Sequence, residues 1–357
     1  MFASSQSESV CVVGRGARTA VGLSAPATAA AVRAGIAGFH EHPFMIDRVG
    51  EPMIVAWVPD LPVTVAGPER LGELSAQAAM EALAPVAGLS SERGLKMTAI
   101  VGLPAARPGL ADAVAEKVDQ RMKAIAGGPP VSHVATIPSG HSAGLMALEE
   151  GCRQVQQGES DFCLVGGVDS YLEPETLEWL DAGEQLHSTA NSWGFIPGEA
   201  AGFCLLASQR AAERYQLKVL ACVHAVATAR EPNLIKTDTV CTGQGLSAAF
   251  KEVLNALPSS ERVNHTICDM NGERYRADEF AFTIARTSER FVDASDFTSP
   301  ADCWGDVGAA SGPLFINLVS AAALKGYAKG RLTMLWTSSE SGERSAAVID
   351  AEVSKRD

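Results

Sequence analysis

Aromatic residues are scarce in this 357-residue chain, at 6%, and basic residues are outnumbered. Its 29 Lys and Arg stand against 42 Asp and Glu, a net charge of −13. That balance argues against nucleic-acid binding, whose phosphate contacts need a basic footprint. It also fits poorly with an anionic membrane surface, while leaving room for an acidic carrier partner held by one local basic patch. No apolar run reaches the about 20 residues of a membrane-spanning helix. Residues 1–10 are polar and carry no basic stretch, so no signal peptide is expected. The eight cysteines are scattered, with no CxxC and no Cys/His metal spacing. They read as reduced core thiols of a cytoplasmic protein. Asp269, Glu273, Asp278 and Asp306 offer oxygen ligands without a metal-loop signature, so neither a metal nor a resident cofactor is expected.

What the chain does have is apolar residues, 46% of the total, and 33 glycines. The composition is that of a globular protein with helices packed closely on sheets. Residues 9–14 (SVCVVG) read as a buried strand stopping at a tight turn, Gly14-Arg15-Gly16, before a helix over 25–34. The full GxGxxG of a dinucleotide site is absent. Helices are expected over 71–84 and 110–126, with a strand over 98–102 between them. Residues 131–138 lead into Ser139-Gly140-His141-Ser142-Ala143-Gly144, a helix over 143–157 and an apolar strand over 162–167. The second half repeats this rhythm. Strands are expected over 219–228 and 263–270, and helices over 246–257 and 276–285. A small-residue turn at 305–312 then feeds an apolar helix over 313–327, and strands close the chain over 331–338 and 345–352. The duplicated layout predicts two similar α/β halves, 1–210 and 211–357, sharing one layered core.

Four segments carry a family resemblance in order. Residues 10–22 (VCVVGRGARTAVG) and 158–169 (GESDFCLVGGVD) come first, then 193–201 (WGFIPGEAA) and 305–312 (GDVGAASG). Together they resemble the β-ketoacyl-acyl-carrier-protein synthases of the thiolase-fold superfamily. The resemblance implies a five-layer α-β-α-β-α fold, a homodimer or heterodimer, and decarboxylative condensation of acyl thioesters. The substrate carrier would be acyl-CoA or the phosphopantetheine of an acyl carrier protein. Glu199 matches a family glutamate whose role is mainly structural.

The reactive positions depart from the family. The condensing cysteine falls on His141, with Ser142 next; the first histidine falls on Met270 or Asn271, and the second on Asp306. The usual lysine falls on Ala301, and a phenylalanine-bearing glycine loop has become Ser339-Glu340-Ser341-Gly342-Glu343. Ordinary Cys-His-His condensation is therefore not expected. Cys268 beside Asp269 and Cys303 beside Asp302 have neighbours that raise a thiol pKa, so neither replaces the missing nucleophile.

Gly140-His141-Ser142-Ala143-Gly144 also matches the nucleophile-elbow pattern G-x-S-x-G. It suggests a catalytic set of His141, Ser142, Asn271 and Asp306, with Ser142 as nucleophile, Asp306 orienting His141, and Asn271 donating to an oxyanion. The same pattern also arises from small residues packing a helix on a sheet. Three functions compete: acyl transfer or thioester hydrolysis through Ser142 and His141, a non-catalytic partner resembling a chain-length factor, or an acyl-binding module. An open convergent pocket favours chemistry, and a packed, closed one favours the partner.

Overall fold

The computed structural model describes residues 9–62, 64–89, 94–126 and 128–351. The reading of residues 1–8 as a polar leader-free start, and the last residue of the strand expected over 345–352, lie outside them. The first half contains β1 (Val10–Thr19), α1 (Ala25–Arg33), a hairpin of β2 (His40–Ile46) and β3 (Pro52–Val55), and α2 (Gly67–Leu83). It continues through β4 (Met97–Leu103), α3 (Val114–Lys123), β5 (Val131–Pro138), α4 (Ala143–Gln156), β6 (Phe162–Ser170), α5 (Pro174–Ala182) and β7 (Glu199–Ser208). After α6 (Gln209–Arg214), the second half holds β8 (Ala221–Arg230), α7 (Gln244–Asn255), β9 (His265–Cys268), α8 (Arg274–Thr287), β10 (Phe297–Thr298) and α9 (Ala301–Trp304). It ends with α10 (Ser311–Lys325), β11 (Leu332–Ser338) and β12 (Glu343–Asp350).

One ten-stranded sheet runs in the order β10-β9-β11-β12-β8-β1-β7-β6-β4-β5. Outward from the β8–β1 junction, the two sides have the same plan. On one side β7 pairs antiparallel with β1 and β6, and β4 pairs parallel with β6 and β5. On the other, β12 pairs antiparallel with β8 and β11, and β9 pairs parallel with β11 and β10. The sides join where Val10–Val12 meet Ala221–Val223.

Helices α4 and α10 contact strands of both sides and each other, which makes them the middle layer. Of the 15 residues of α10, those from Ser311 to Ala321 are all buried, because strands flank it on both faces. α2 and α3 cover one outer face, and α7 and α8 the other. This is the five-layer α-β-α-β-α arrangement expected from the motifs.

Two local expectations fail. Gly14 and Gly16 do not make a turn, since β1 continues through them to Thr19. A Cβ on Gly16 would lie 1.9 Å from the Ala78 carbonyl oxygen, so these glycines let α2 lie against the strand. β7 is a central strand buried along nearly its whole length, where the sequence pattern predicts none. Its run of apolar residues has no alternation to mark it.

Candidate functional site

The segment after β5 is a single turn of 3-10 helix, Gly140–Ser142, which feeds α4 directly. Its counterpart is Gly308–Ala310, which feeds α10. The residues preceding the two turns have the same conformation, with φ/ψ of −118/18 at Ser139 and −119/19 at Val307. Gly308 is required twice over. Its φ is +47, and a Cβ there would meet an Asp169 carboxylate oxygen at 2.0 Å. The internal repeat thus places His141 at one tip and Asp306 just before the other.

Three of the four expected residues meet. His141 Nε2 lies 2.9 Å from both Asp306 carboxylate oxygens. Asn271, a few residues past the end of β9, donates through Nδ2 to Asp306 Oδ2 at 2.6 Å and to Glu273 at 3.0 Å. Asp306 Oδ1 also accepts the Gly308 amide at 2.9 Å. Of the two residues at the shifted histidine position, Asn271 faces this cluster, while the Met270 side chain packs against the core beneath α8.

The fourth member is turned elsewhere. Ser142 Oγ donates to the backbone carbonyls of Thr337 at 3.1 Å and Glu343 at 2.9 Å, and no imidazole or carboxylate of the described residues hydrogen-bonds it. A serine nucleophile needs its proton taken by a base, so the elbow pattern here marks a turn rather than a reactive hydroxyl. The Ser142 amide, the kind of helix-tip donor that would face an oxyanion, is taken by Ser339 Oγ at 2.8 Å. Asn271 is likewise committed to two carboxylates and is not free to donate to an oxyanion.

Sequence reasoning missed the residue at the centre. Arg276, in the first turn of α8, is fully buried, and its Nη2 sits 3.1 Å from His141 Nε2. Its Nη1 donates to Asp269 at 3.0 Å and to the Ser338 carbonyl at 3.0 Å, and Nε lies 3.5 Å from Glu273. Lys236 pairs with the other Glu273 oxygen at 3.1 Å, and the Tyr275 hydroxyl donates to Glu273 at 2.6 Å. A guanidinium only donates and a carboxylate only accepts, so Nε2 serves one of them. Two contacts of 2.9 Å to Asp306 against one of 3.1 Å to Arg276 suit an Nε2–H directed at the carboxylate. An arginine early in an amphipathic helix carries no sequence signal of burial, since most such residues face water.

The electrostatics agree. Burial would lower the His141 pKa, but the Asp306 carboxylate outweighs it and the net direction is up, with Arg276 opposing. Burial would raise the pKa of Asp306, yet His141 and Arg276 hold it well below the usual carboxylate range. Burial pushes Asp269 up, and its Oδ1 has no hydrogen-bond partner among the described residues. A second buried cation lies on the other side: Arg107 donates to Asp169 at 2.5 Å and to the Ser170 carbonyl at 2.6 Å. Asp169 in turn accepts the Ala309 amide at 3.1 Å.

The assembly is closed. His141 and Asp306 are each 5% exposed. A cleft of about 530 Å³ lined by Trp193, Lys236, Glu273 and Tyr275 stops at the outer wall of the cluster. Asp269 and Glu273 pair with the Arg276 guanidinium and Asp306 with His141, while Asp278 is exposed and pairs with Arg274 at 3.5 Å. None of the eight cysteines is in a disulfide, and burial pushes Cys163 up to about 12 and Cys268 higher still. Glu199 is structural: its carboxylate holds Arg70 through two contacts of 2.6 Å and accepts the Val58 amide at 2.8 Å. The arrangement ties the two halves together through ion pairs and hydrogen bonds, with Asp269 Oδ1 a buried carboxylate oxygen left without a partner among the described residues.

Residues 130–212 match the family model of the β-ketoacyl synthase N-terminal domain. No curated protein matches the chain in sequence. Among solved structures, the ishigamide ketosynthase/chain length factor superposes with a TM-score of 0.78 at 16% identity, covering 96% of this chain and 99% of its own. The ketosynthase from module 6 of the bacillaene synthase of Bacillus subtilis 168 gives a TM-score of 0.76 at 15% identity, covering 97% and 72%. A type II polyketide ketosynthase, solved with its acyl-carrier protein and bound to the hexaketide, gives 0.76 at 15%, covering 97% and 100%. The thiolase-like ketosynthase fold is thus shared over nearly the whole chain. Among the described residues, no helix is long and apolar enough to cross a membrane.

Proposed function

We propose that this chain, which has the thiolase-like ketosynthase fold, is a non-condensing partner subunit of a fatty-acid or polyketide-type synthase, in the manner of a chain-length factor. The observation that carries this reading is Arg276. Its buried guanidinium stands 3.1 Å from His141 Nε2, and Asp306 holds the same nitrogen at 2.9 Å. Acyl transfer through Ser142 loses its support, because that hydroxyl is bound to two main-chain carbonyls.

A partner role also suits the sheet edge. β5 pairs only with β4 among the described strands, so one side of this eight-residue strand is open. Its residues are largely half-buried or exposed, and it runs straight into the Gly140–Ser142 turn. An open edge of that length is a ready template for another chain. One of the similar structures is named a ketosynthase/chain length factor and another holds an acyl-carrier protein. The proposed assembly is this chain paired with an active synthase. An acyl carrier protein delivers substrate to the synthase member, and the acyl group rides on its phosphopantetheine.

Co-expression with a Cys-His-His ketosynthase of the same organism tests the pairing. A stable one-to-one heterodimer by light scattering is expected. A chain that forms only a homodimer, and ignores the synthase, contradicts it.

A further inference from the structure

Arg15, Arg33 and Lys325 converge on a cleft of about 390 Å³ whose lining contains no carboxylate among the described residues. This is unusual in a chain of net charge −13. The cleft lies at the far end of α10 from Asp306, about 22 Å away along 15 residues at about 1.5 Å each. It is therefore separate from the His141 cluster, and a ligand there is independent of the proposed partner role.

None of the three cations is neutralised among the described residues. Arg15 makes a single long contact, Nη1 to the Asn317 carbonyl at 3.4 Å. The carboxylate whose field reaches Arg15 is Glu81, and its hydrogen bonds go to the amides of Ala17 at 3.0 Å and Ala25 at 2.9 Å and to Arg18 at 3.3 Å. Arg33 stacks over the Tyr327 ring at 4.0 Å and has no carboxylate partner. Helix C-termini favour cations, which accounts for Arg33 and Lys325, in the last turns of α1 and α10. It does not account for Arg15, a strand residue half-buried below them. A partly desolvated guanidinium without an anion is costly, and this one is aimed into the cleft.

A second cavity, about 280 Å³, adjoins the first through Ala29, Arg33 and Tyr327. Its wall includes Val32, Ile267, Leu318 and Val319. Burial pushes His265 in this wall down to about 4, so it is neutral at pH 7. Lys329 at its rim is already paired with Asp296 at 2.5 Å. A polar, trebly cationic mouth thus opens beside an apolar chamber.

We propose that these two cavities form one binding site for an amphiphilic anion, a phosphate monoester carrying a short alkyl chain. The phosphate sits among Arg15, Arg33 and Lys325, and the chain lies against Val32, Leu318 and Val319. Three charge-assisted contacts suit a dianion better than a single charge.

Calorimetry on the full chain with octyl phosphate, inorganic phosphate, octanol and phosphatidic-acid vesicles tests this. Saturable one-to-one binding of octyl phosphate is expected, with inorganic phosphate at least about tenfold weaker and octanol not binding. The double variant Arg33→Gln/Lys325→Gln weakens octyl phosphate by about tenfold or more and leaves the melting temperature in place. Ala322→Leu, which fills the half-exposed wall of the apolar chamber, weakens octyl phosphate and spares inorganic phosphate. The proposal is overturned by no binding of octyl phosphate, by equal binding of octanol, or by affinity unchanged in the double variant. Inorganic phosphate binding as tightly as octyl phosphate removes the apolar half of the site and overturns the amphiphile. Binding to vesicles alone assigns the cations to a membrane surface and overturns the small-ligand site.

Discussion

Asp306 holds both of its carboxylate oxygens 2.9 Å from Nε2 of His141, a residue 165 positions earlier in the chain. The two side chains come from the equivalent tips of two topologically matched halves. The Arg276 guanidinium stands over the pair, its Nη2 3.1 Å from the same imidazole nitrogen.

Breaking that cluster on one side leaves charge buried without compensation. Arg276→Met is expected to destabilise the fold by about 3–5 kcal/mol, since Asp269 and Asp306 lose a cation they cannot replace with water. Urea unfolding gives the number. A loss below about 1 kcal/mol contradicts the assignment of Arg276 as the central counter-ion.

Stability depends on pH through the same pair. The folded His141 pKa lies above its ordinary 6.5. Its contribution is therefore fully present below 6.5 and is lost as pH rises through the higher folded value. The folded Asp306 pKa lies below its ordinary 3.8, so its contribution is present above 3.8 and is lost as pH falls through the lower value. Melting temperature should fall on the alkaline side of 6.5, and His141→Gln should flatten that slope. An identical slope in the variant assigns it to other groups.

Ser142→Ala removes the one hydroxyl proton that the Thr337 and Glu343 carbonyls share. A loss of about 0.5–1.5 kcal/mol in stability is expected, because one buried donor is lost while the Glu343 carbonyl keeps the Ser339 amide and the Arg344 guanidinium. Any thioester turnover of the preparation should not change. Abolished turnover with a normally folded variant restores Ser142 as a nucleophile.

The sequence motifs locate the site better than they describe it. His141, Asn271 and Asp306 can be placed together because the scaffold glycines fix the register of both halves, and Gly308 admits no side chain. The G-x-S-x-G pattern constrains backbone size at 140–144 but says nothing of where a hydroxyl points, and the Ser142 role fails on that difference. Arg276 and Ser339 are illegible for another reason. An arginine in a helix's first turn and a serine in a hairpin turn look like surface residues until tertiary packing buries them. β7 escapes the pattern because a strand covered on both faces lacks the alternation that marks a half-exposed one. The equal strand orders of the two halves, by contrast, reflect the repeated turn, helix and strand visible along the chain.

The central claim is that the ketosynthase scaffold here carries no working nucleophile. Intact-mass analysis of the pure chain, after incubation with a panel of acyl-CoA and acyl-carrier-protein thioesters, tests it most directly, with free thiol measured in the same samples. An unchanged protein mass and intact thioesters are the predicted result. An acyl adduct, or thiol release that disappears in His141→Ala or Ser142→Ala, would contradict it.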